Sequence, residues 1–456
     1  MRSFRQKALI KVLAILLAAF ALPTSLVSAQ GIDSQAVAAQ AASNSLNSSA
    51  QATASQTPAP ATTTAATTTA APTTASPLYF HQDGTFKIMV ISDIQDGARV
   101  SPYTLQLITL ALDAEHPDLV VINGDNIFDL SPSLLFSSGN IKASIESFLQ
   151  PLVSRKIPFA VTFGNHDGAM VMGKEQQWDF YQTFPGALGS MNKIDDRVGN
   201  YNVIIQGTNG KPALNLWFFD SGGTSLPSKA DKMLDGQIEW YKSTSNSLKA
   251  ANGGVAVPSV VFQHVPVPQI YDLLTEVDKS TPGAKPGTDD HSGKYYVPNN
   301  SLVTSGELGE GPCTLVNDQQ EFAAWQQQGD VMAAVFGHDH SNDFCGNLQG
   351  IDLMYESSVG FYMYGNGYRH GVRVMEFNEK NVHNYQTRML FYDDLTDQAI
   401  PANLQFDGAF AHGDIYIYYA VAGLLAAVLI VMAVVIVVKV RHRRRLKRQP
   451  PGKPTG

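Results

Sequence analysis

The sequence predicts an α/β domain followed by one membrane-spanning helix. Three observations carry that expectation. From Leu78 to about Asp397, short β-branched runs alternate with longer polar or amphipathic stretches, as strands separated by helices do. From Ile415 to Val438 no charged residue occurs over 24 positions, enough to span about 30 Å of hydrocarbon at about 1.5 Å per residue. A length of 456 residues with 44% apolar side chains supports one or two domains with a large core.

In chain order, Arg2 to Lys11 form a basic stretch, Val12 to Leu22 an apolar run, and Val27-Ser28-Ala29 a small-residue end. These are the three parts of a secretory signal over residues 1–29, with cleavage expected after Ala29. Residues 30–77 are almost entirely Ala, Thr, Ser, Gln and Pro, with one charge at Asp33 and no aromatic side chain. Such a segment cannot bury enough apolar surface to offset its chain entropy, and it reads as a disordered, mucin-like or simply flexible stalk. A globular domain is expected over 78–400 and a linker over 401–414. Tyr416, Tyr418 and Tyr419 open the apolar span of 415–438, and the basic tail 439–456 follows as a stop-transfer signal. This charge placement predicts a type I single-pass protein, with the domain extracellular or lumenal and the C-terminus cytosolic.

The net charge of −8 hides a segregation, because 12 of the 32 Lys and Arg residues lie in the first 29 and last 18 positions. The middle retains 20 basic against 40 acidic residues, which argues against a nucleic-acid surface and favours binding of hard cations. With only Cys313 and Cys345 present, a cysteine zinc site or iron–sulfur cluster is excluded. An oxidising lumen would join these two thiols in one disulfide. Asn47 and Asn299 head N-glycosylation sequons.

Six apolar runs are expected as buried strands: Lys87–Ile91, Leu119–Ile122, Phe159–Phe163, Leu216–Phe219, Ser259–Phe262 and Met332–Phe336. Five are followed by ligand-type residues. Asp93 and Gln95 follow the first, Asp125 the second, and Asn165, His166 and Asp167 the third; His264 follows the fifth, and His338 and His340 the sixth. Sites in α/β sheets gather beyond the carboxyl ends of strands, so these loops can converge on one crevice. Carboxylates, an amide and imidazoles suit a pair of divalent ions, with one carboxylate shared. Asp220 and Ser221, after the fourth run, are read as turn residues, with orienting of loops near the site as the alternative, and His81, His116, His291, His370, His383 and His412 as structural histidines.

These blocks resemble the calcineurin-like metallophosphoesterase superfamily. Gly124 to Phe128, His264 to Pro268 and Phe336 to Gly346 resemble in particular its purple-acid-phosphatase-related branch of membrane-associated phosphatases, over roughly Phe86 to Phe377. The resemblance implies two stacked mixed β-sheets flanked by helices. It also implies two metal ions (Mn, Fe or Zn), with Asp93, Asp125 and His340 on the first and Asp125, Asn165, His264 and His338 on the second. Gln95 occupies a first-metal position where the wider family has His. His166 is implied to meet the phosphoryl oxygens and the leaving group, with the adjacent Asp167 able to orient its imidazole or stabilise its protonated form. Spaced by one residue, His338 and His340 point to one face of an extended loop, with Asp339 turned away. Phe128 stands where the purple enzymes have a tyrosinate, so no charge-transfer colour is expected.

The implied activity is hydrolysis of a phosphate ester by water activated between two ions. A cysteine phosphatase would need Arg six residues after Cys, where Gln319 and Ile351 stand. Phosphate-loop, zincin and serine-elbow motifs are also absent from the sequence. Two alternatives stay open: a phosphodiesterase of the same fold acting on nucleotide or phospholipid headgroup esters, and a catalytically weak surface receptor or adhesion ectodomain.

Overall fold

The computed structural model describes residues 77–223, 232–316, 318, 320–365, 367–401, 404 and 414–446. The expected signal peptide, nearly all of the stalk with Asn47, most of the 401–414 linker and the tail beyond Leu446 lie outside the described residues.

The elements begin with β1 (Leu78–Tyr79), β2 (Thr85–Ile91), α1 (Pro102–Glu115), β3 (Leu119–Asn123), α2 (Ser138–Arg155), β4 (Phe159–Thr162) and α3 (Lys174–Tyr181). They continue with β5 (Tyr201–Gln206), β6 (Pro212–Phe219), α4 (Asp235–Ala251), β7 (Ser259–Gln263), β8 (Leu274–Val277), β9 (Lys285–Pro286), β10 (Tyr295–Pro298) and β11 (Val303–Ser305). Last come α5 (Glu321–Gln328), β12 (Val331–Phe336), β13 (Cys345–Leu348), β14 (Ile351–Tyr355), β15 (Gly371–Asn378), β16 (Gln386–Phe391), α6 (Tyr392–Leu395) and α7 (Asp414–Leu446). Each of the six apolar runs is a strand.

A five-stranded sheet has the order β16-β15-β2-β3-β4, and an eight-stranded sheet the order β1-β5-β6-β7-β12-β14-β13-β11. Both are mixed. Strands β2, β3 and β4 are parallel, with Val90 opposite Val121 and Val121 opposite Ala160. Helices α1 and α2 make the crossovers between them, as parallel pairing requires. Ser101 caps α1, its Oγ accepting from Tyr103 N–H at 3.3 Å, and Pro102 supplies the preset first turn. In the larger sheet β6, β7, β12 and β14 are parallel, with Phe262 of β7 opposite Phe218 on one side and Val335 on the other.

Alternation along these strands decides which faces meet. Leu216 and Phe218 of β6, Val260 and Phe262 of β7, and Ala333 and Val335 of β12 join one apolar core with Ile88, Val121 and Val161 of the smaller sheet. Trp217, Phe219, Val261, Ala334 and Phe336 face the opposite way, onto Ile238 and Tyr241 of α4 and Phe322 and Trp325 of α5. Each large apolar side chain so buried contributes about 1.5–3 kcal/mol relative to exposure. Beyond the two expected sheets, the structure adds a three-stranded antiparallel sheet, β8-β10-β9. Asn299 lies just past β10, half-buried, its Oδ1 accepting from Ser301 N–H at 3.0 Å.

Helix α7 is 33 residues long, and its stretch Gly423–Arg441 is apolar and long enough to cross a membrane.

The expected Cys313–Cys345 bridge is not formed; both cysteines are free. Cys345 is fixed in the β13–β14 ladder opposite Met354 and packs into the core between the sheets. Cys313 is held elsewhere, its Sγ 3.5 Å from Asp289 Oδ2 and its N–H donating to both carboxylate oxygens of Asp339 at 3.1 Å. Burial, with Asp339 and Asp289 alongside, pushes the Cys313 thiol up, so it stays protonated.

Candidate metal centre

The carboxyl ends of β2, β3 and β4 meet those of β7 and β12 because the two sheets face each other. Asn123, the last residue of β3, joins them, its Nδ2 donating to Gln263 O at 3.3 Å and Val335 O at 3.1 Å. Each loop then turns sharply. Asp93, Gln95, Asp125 and His338 have φ of 52°, 40°, 48° and 74°, the left-handed region that non-glycine residues avoid. Such positions cost about 1–3 kcal/mol each and persist only where neighbours over-determine them, as at functional sites. Here the neighbours are explicit. Asp93 N–H donates to Gly124 O and Gln95 N–H to Asp125 O, both at 3.1 Å. Gly124 has φ 90°, and a Cβ there would stand 2.7 Å from the Cβ of His264.

These turns bring Asp125, His264 and His338 together, with one ligand atom from each lying within 4.8 Å of the others. His264 Nε2 lies 3.1 Å from Asp125 Oδ2 and 3.7 Å from Asp93 Oδ1, and the rings of His264 and His338 are 5.3 Å apart. On the other side, His340 Nε2 lies 3.3 Å from Asp93 Oδ1. Two of these imidazoles have Nδ1 committed: His264 Nδ1 to Asn123 O at 3.0 Å, and His340 Nδ1 to Tyr364 O at 2.8 Å. A carbonyl at Nδ1 fixes the tautomer and leaves the Nε2 lone pair for a cation. Asp93 is steered through its other oxygen, which accepts from Ser92 Oγ at 2.7 Å and His338 N–H at 3.1 Å.

Gln95 and Asn165 belong to the same cluster of loops, both buried. Gln95 donates its side-chain amide to Asp125 Oδ2, the oxygen that also faces His264. Among the described residues its Oε1 is buried without a hydrogen-bond partner. Leaving such atoms unsatisfied costs about 1–3 kcal/mol each. A buried set of carboxylate and amide oxygens with imidazole nitrogens therefore fits divalent first-row cations.

The electrostatics agree. Burial opposes the Asp125 charge, but His264 and His166 outweigh it and hold this carboxyl well below its usual range. Burial likewise opposes a charged His264, yet Asp125 and Asp93 lift the imidazole to about 9. Without ions the carboxylates are compensated by protonated imidazole.

His166 sits at the edge of the cluster, its N–H donating to Asp125 Oδ1 at 2.8 Å. Its orienting partner differs from expectation. His166 Nδ1 lies 2.9 Å from Asp129 Oδ1, while Asp167 is turned into the fold. The Asp167 carboxylate accepts from the N–H groups of Asn126 (2.9 Å), Ile127 (3.2 Å) and Gly164 (2.7 Å), tying the β3 and β4 loops together. The reason is local: four main- and side-chain donors converge on Asp167, and none is an imidazole. Sequence reasoning passed over Asp129, although it follows Phe128 in the block that begins at Gly124. The 338–340 stretch is also not extended, as φ of 74° at His338 shows. Asp339, expected to turn away from the two imidazoles, is buried and accepts from Tyr355 OH at 2.5 Å and from Cys313 N–H. Asp220 pairs with Lys174 at 2.7 Å, and Ser221 Oγ accepts from Val265 N–H at 3.0 Å, bracing the loop beside His264.

Fold and site together define a metallophosphoesterase. The chain belongs to the calcineurin-like phosphoesterase family, whose sequence profile matches residues 86–342. It is 29% identical over 342 residues to a protein of Arabidopsis thaliana named "Probable inactive purple acid phosphatase 29", covering 66% of this chain and 80% of that one. It is 26% identical over 290 residues to "Phosphatase DCR2" of Saccharomyces cerevisiae, covering 58% of this chain and 45% of that protein. Among solved structures, a dimetal phosphatase from Danio rerio aligns over 67% of this chain and 99% of its own, at 12% identity and a TM-score of 0.41.

Proposed function

We propose that this chain hydrolyses phosphate esters at a two-metal centre on the non-cytosolic side of a membrane. The carrying observation is the position of Asp125, whose two oxygens face His264 and the His166 backbone while Asp93 and His340 form a second donor pair beside it. Asp93, Asp125 and His340 would hold the first ion, with Gln95 Oε1 available to it. Asp125, Asn165, His264 and His338 would hold the second, and Mn, Fe or Zn suits these donors. When bound, such a pair supplies an activated water and positive charge for the phosphoryl oxygens.

The protein's own residues do the rest. Asp129 accepts at His166 Nδ1, which suits the imidazole to act as the proton donor to a departing alkoxide. Burial disfavours charging His166, but Asp125 and Asp129 together raise its pKa and so favour the proton-bearing form. Asp167 keeps the loop bearing His166 locked to the loop bearing Asp125. The apolar stretch of α7, followed by basic residues, supports the type I orientation with the domain of residues 78–400 extracellular or lumenal.

A second reading has its own observation. Gln95 supplies only a neutral amide, and the Arabidopsis relative is named inactive, which favours a receptor-like ectodomain of low turnover. One experiment separates these readings: detergent-solubilised full chain with and without Mn²⁺, acting on p-nitrophenyl phosphate and on its bis ester. Mn²⁺-dependent turnover that falls by about 100-fold or more in Asp125→Asn supports the hydrolase, and the preferred ester separates monoesterase from diesterase. Turnover that is absent in both metal states, or unchanged in Asp125→Asn, overturns it.

A further inference from the structure

We infer that Tyr364, through its stacked ring, is a positioning residue for His340, which rests on the proposed role of His340 in holding the first ion. The Tyr364 carbonyl accepts from His340 Nδ1 at 2.8 Å, and its phenol ring lies flat on the same imidazole, with centroids 4.2 Å apart and planes within 6°. Tyr364 is 40% exposed while His340 is 2% exposed, so the phenol covers the imidazole against solvent.

A second segment ties that cover down. Tyr364 OH donates to Glu310 Oε2 at 3.2 Å, and Glu310 Oε1 accepts from Ser341 N–H, next to His340, at 2.9 Å. Glu310 is seated in turn by Asn342, whose Oδ1 accepts from the N–H groups of Gly309 at 2.9 Å and Glu310 at 3.0 Å. The connection before α5 and the one between β14 and β15 thus close on the 338–342 loop from two sides. Asp93 meets His340 Nε2 on the inner side, so the ring is fixed in plane, tilt and tautomer. Groups that orient a metal-binding imidazole in this way typically change metal affinity by about 10–100-fold when removed.

The substitutions separate ring from backbone. Tyr364→Ala keeps the carbonyl on Nδ1 but removes the stacked cover and the latch; Tyr364→Phe keeps the cover and loses only the hydroxyl. Mn²⁺ affinity is measured by chelator competition on the detergent-solubilised full chain, with His340→Ala as reference and a metal-free thermal melt for each variant. Tyr364→Ala is expected to weaken one of two Mn²⁺ sites about 10-fold, in the same site as His340→Ala, with Tyr364→Phe within about 3-fold of wild type. Wild-type affinity in Tyr364→Ala alongside a weakened His340→Ala overturns the positioning role alone. Wild-type affinity in His340→Ala overturns the ligand assignment and this inference with it. If Tyr364→Phe falls as far as Tyr364→Ala, the ring is not the positioning element and the inference fails. Should Tyr364→Ala lose its melting transition, Tyr364→Leu, which has bulk but no aromatic face, is read by the same criteria.

Discussion

A methyl group placed on Gly164 tests the centre without changing any donor atom. A Cβ there would overlap Asp125 Oδ1 and stand 2.5 Å from Asp125 N and 2.6 Å from His264 Cδ2. Ordinary contact is about 3.5 Å, so Asp125 and His264 must each retreat by about 1 Å. Asp125 has little room to do so, since its own carbonyl accepts from Gln95 N–H and its carboxylate from His166 N–H. Overpacking of this kind costs about 1–3 kcal/mol of stability. A displacement of about 1 Å at reacting groups costs about 100-fold in rate. Gly164→Ala should therefore keep a cooperative melt, lowered by several degrees, while Mn²⁺ content and p-nitrophenyl phosphate turnover collapse together. Gly168→Ala in the same loop is the control, because a Cβ there meets nothing within 4 Å. Should Gly164→Ala retain bound metal and turnover within about 3-fold of Gly168→Ala, the tight packing of Gly164 on Asp125 would not be what shapes the centre.

Asp129→Asn should move the alkaline limb of the pH–kcat profile to lower pH. The sign follows from the pair: the Asp129 carboxylate raises the His166 pKa, a proton-donating His166 is lost as pH rises through that value, and removing the carboxylate brings the loss earlier. An unmoved limb would mean that His166 is not the donor. Gln95→His should tighten one Mn²⁺ site by about 10-fold, imidazole being the stronger donor for these ions. Unchanged metal content after dialysis would remove position 95 from the coordination sphere.

The sequence by itself determined what local chain geometry controls. A buried strand must end, and the next one to five residues fall at its carboxyl end whatever the rest of the fold does. Asp93, Gln95, Asp125, Asn165, His264, His338 and His340 could therefore be picked out as one crevice, and the uncharged run after Asp414 stood out by composition alone. Tertiary structure decided every partnership across the chain. Asp129 reaches His166 from 37 residues away, whereas Asp167, its immediate neighbour, faces four donors, three of them on the loop after β3. Cys313 and Cys345 were the only two candidates for a bridge, yet one is set by a β ladder and the other by Asp339 and Asp289. Tyr364 carries no mark in the sequence, since its role comes from lying flat on His340 after the chain has crossed β13 and β14. The physical reason is common to all three. Residue type and strand periodicity are written locally, but the direction of a side chain in a loop depends on backbone turns such as the left-handed ones at Asp93, Gln95, Asp125 and His338, and those turns hold only against contacts from distant segments.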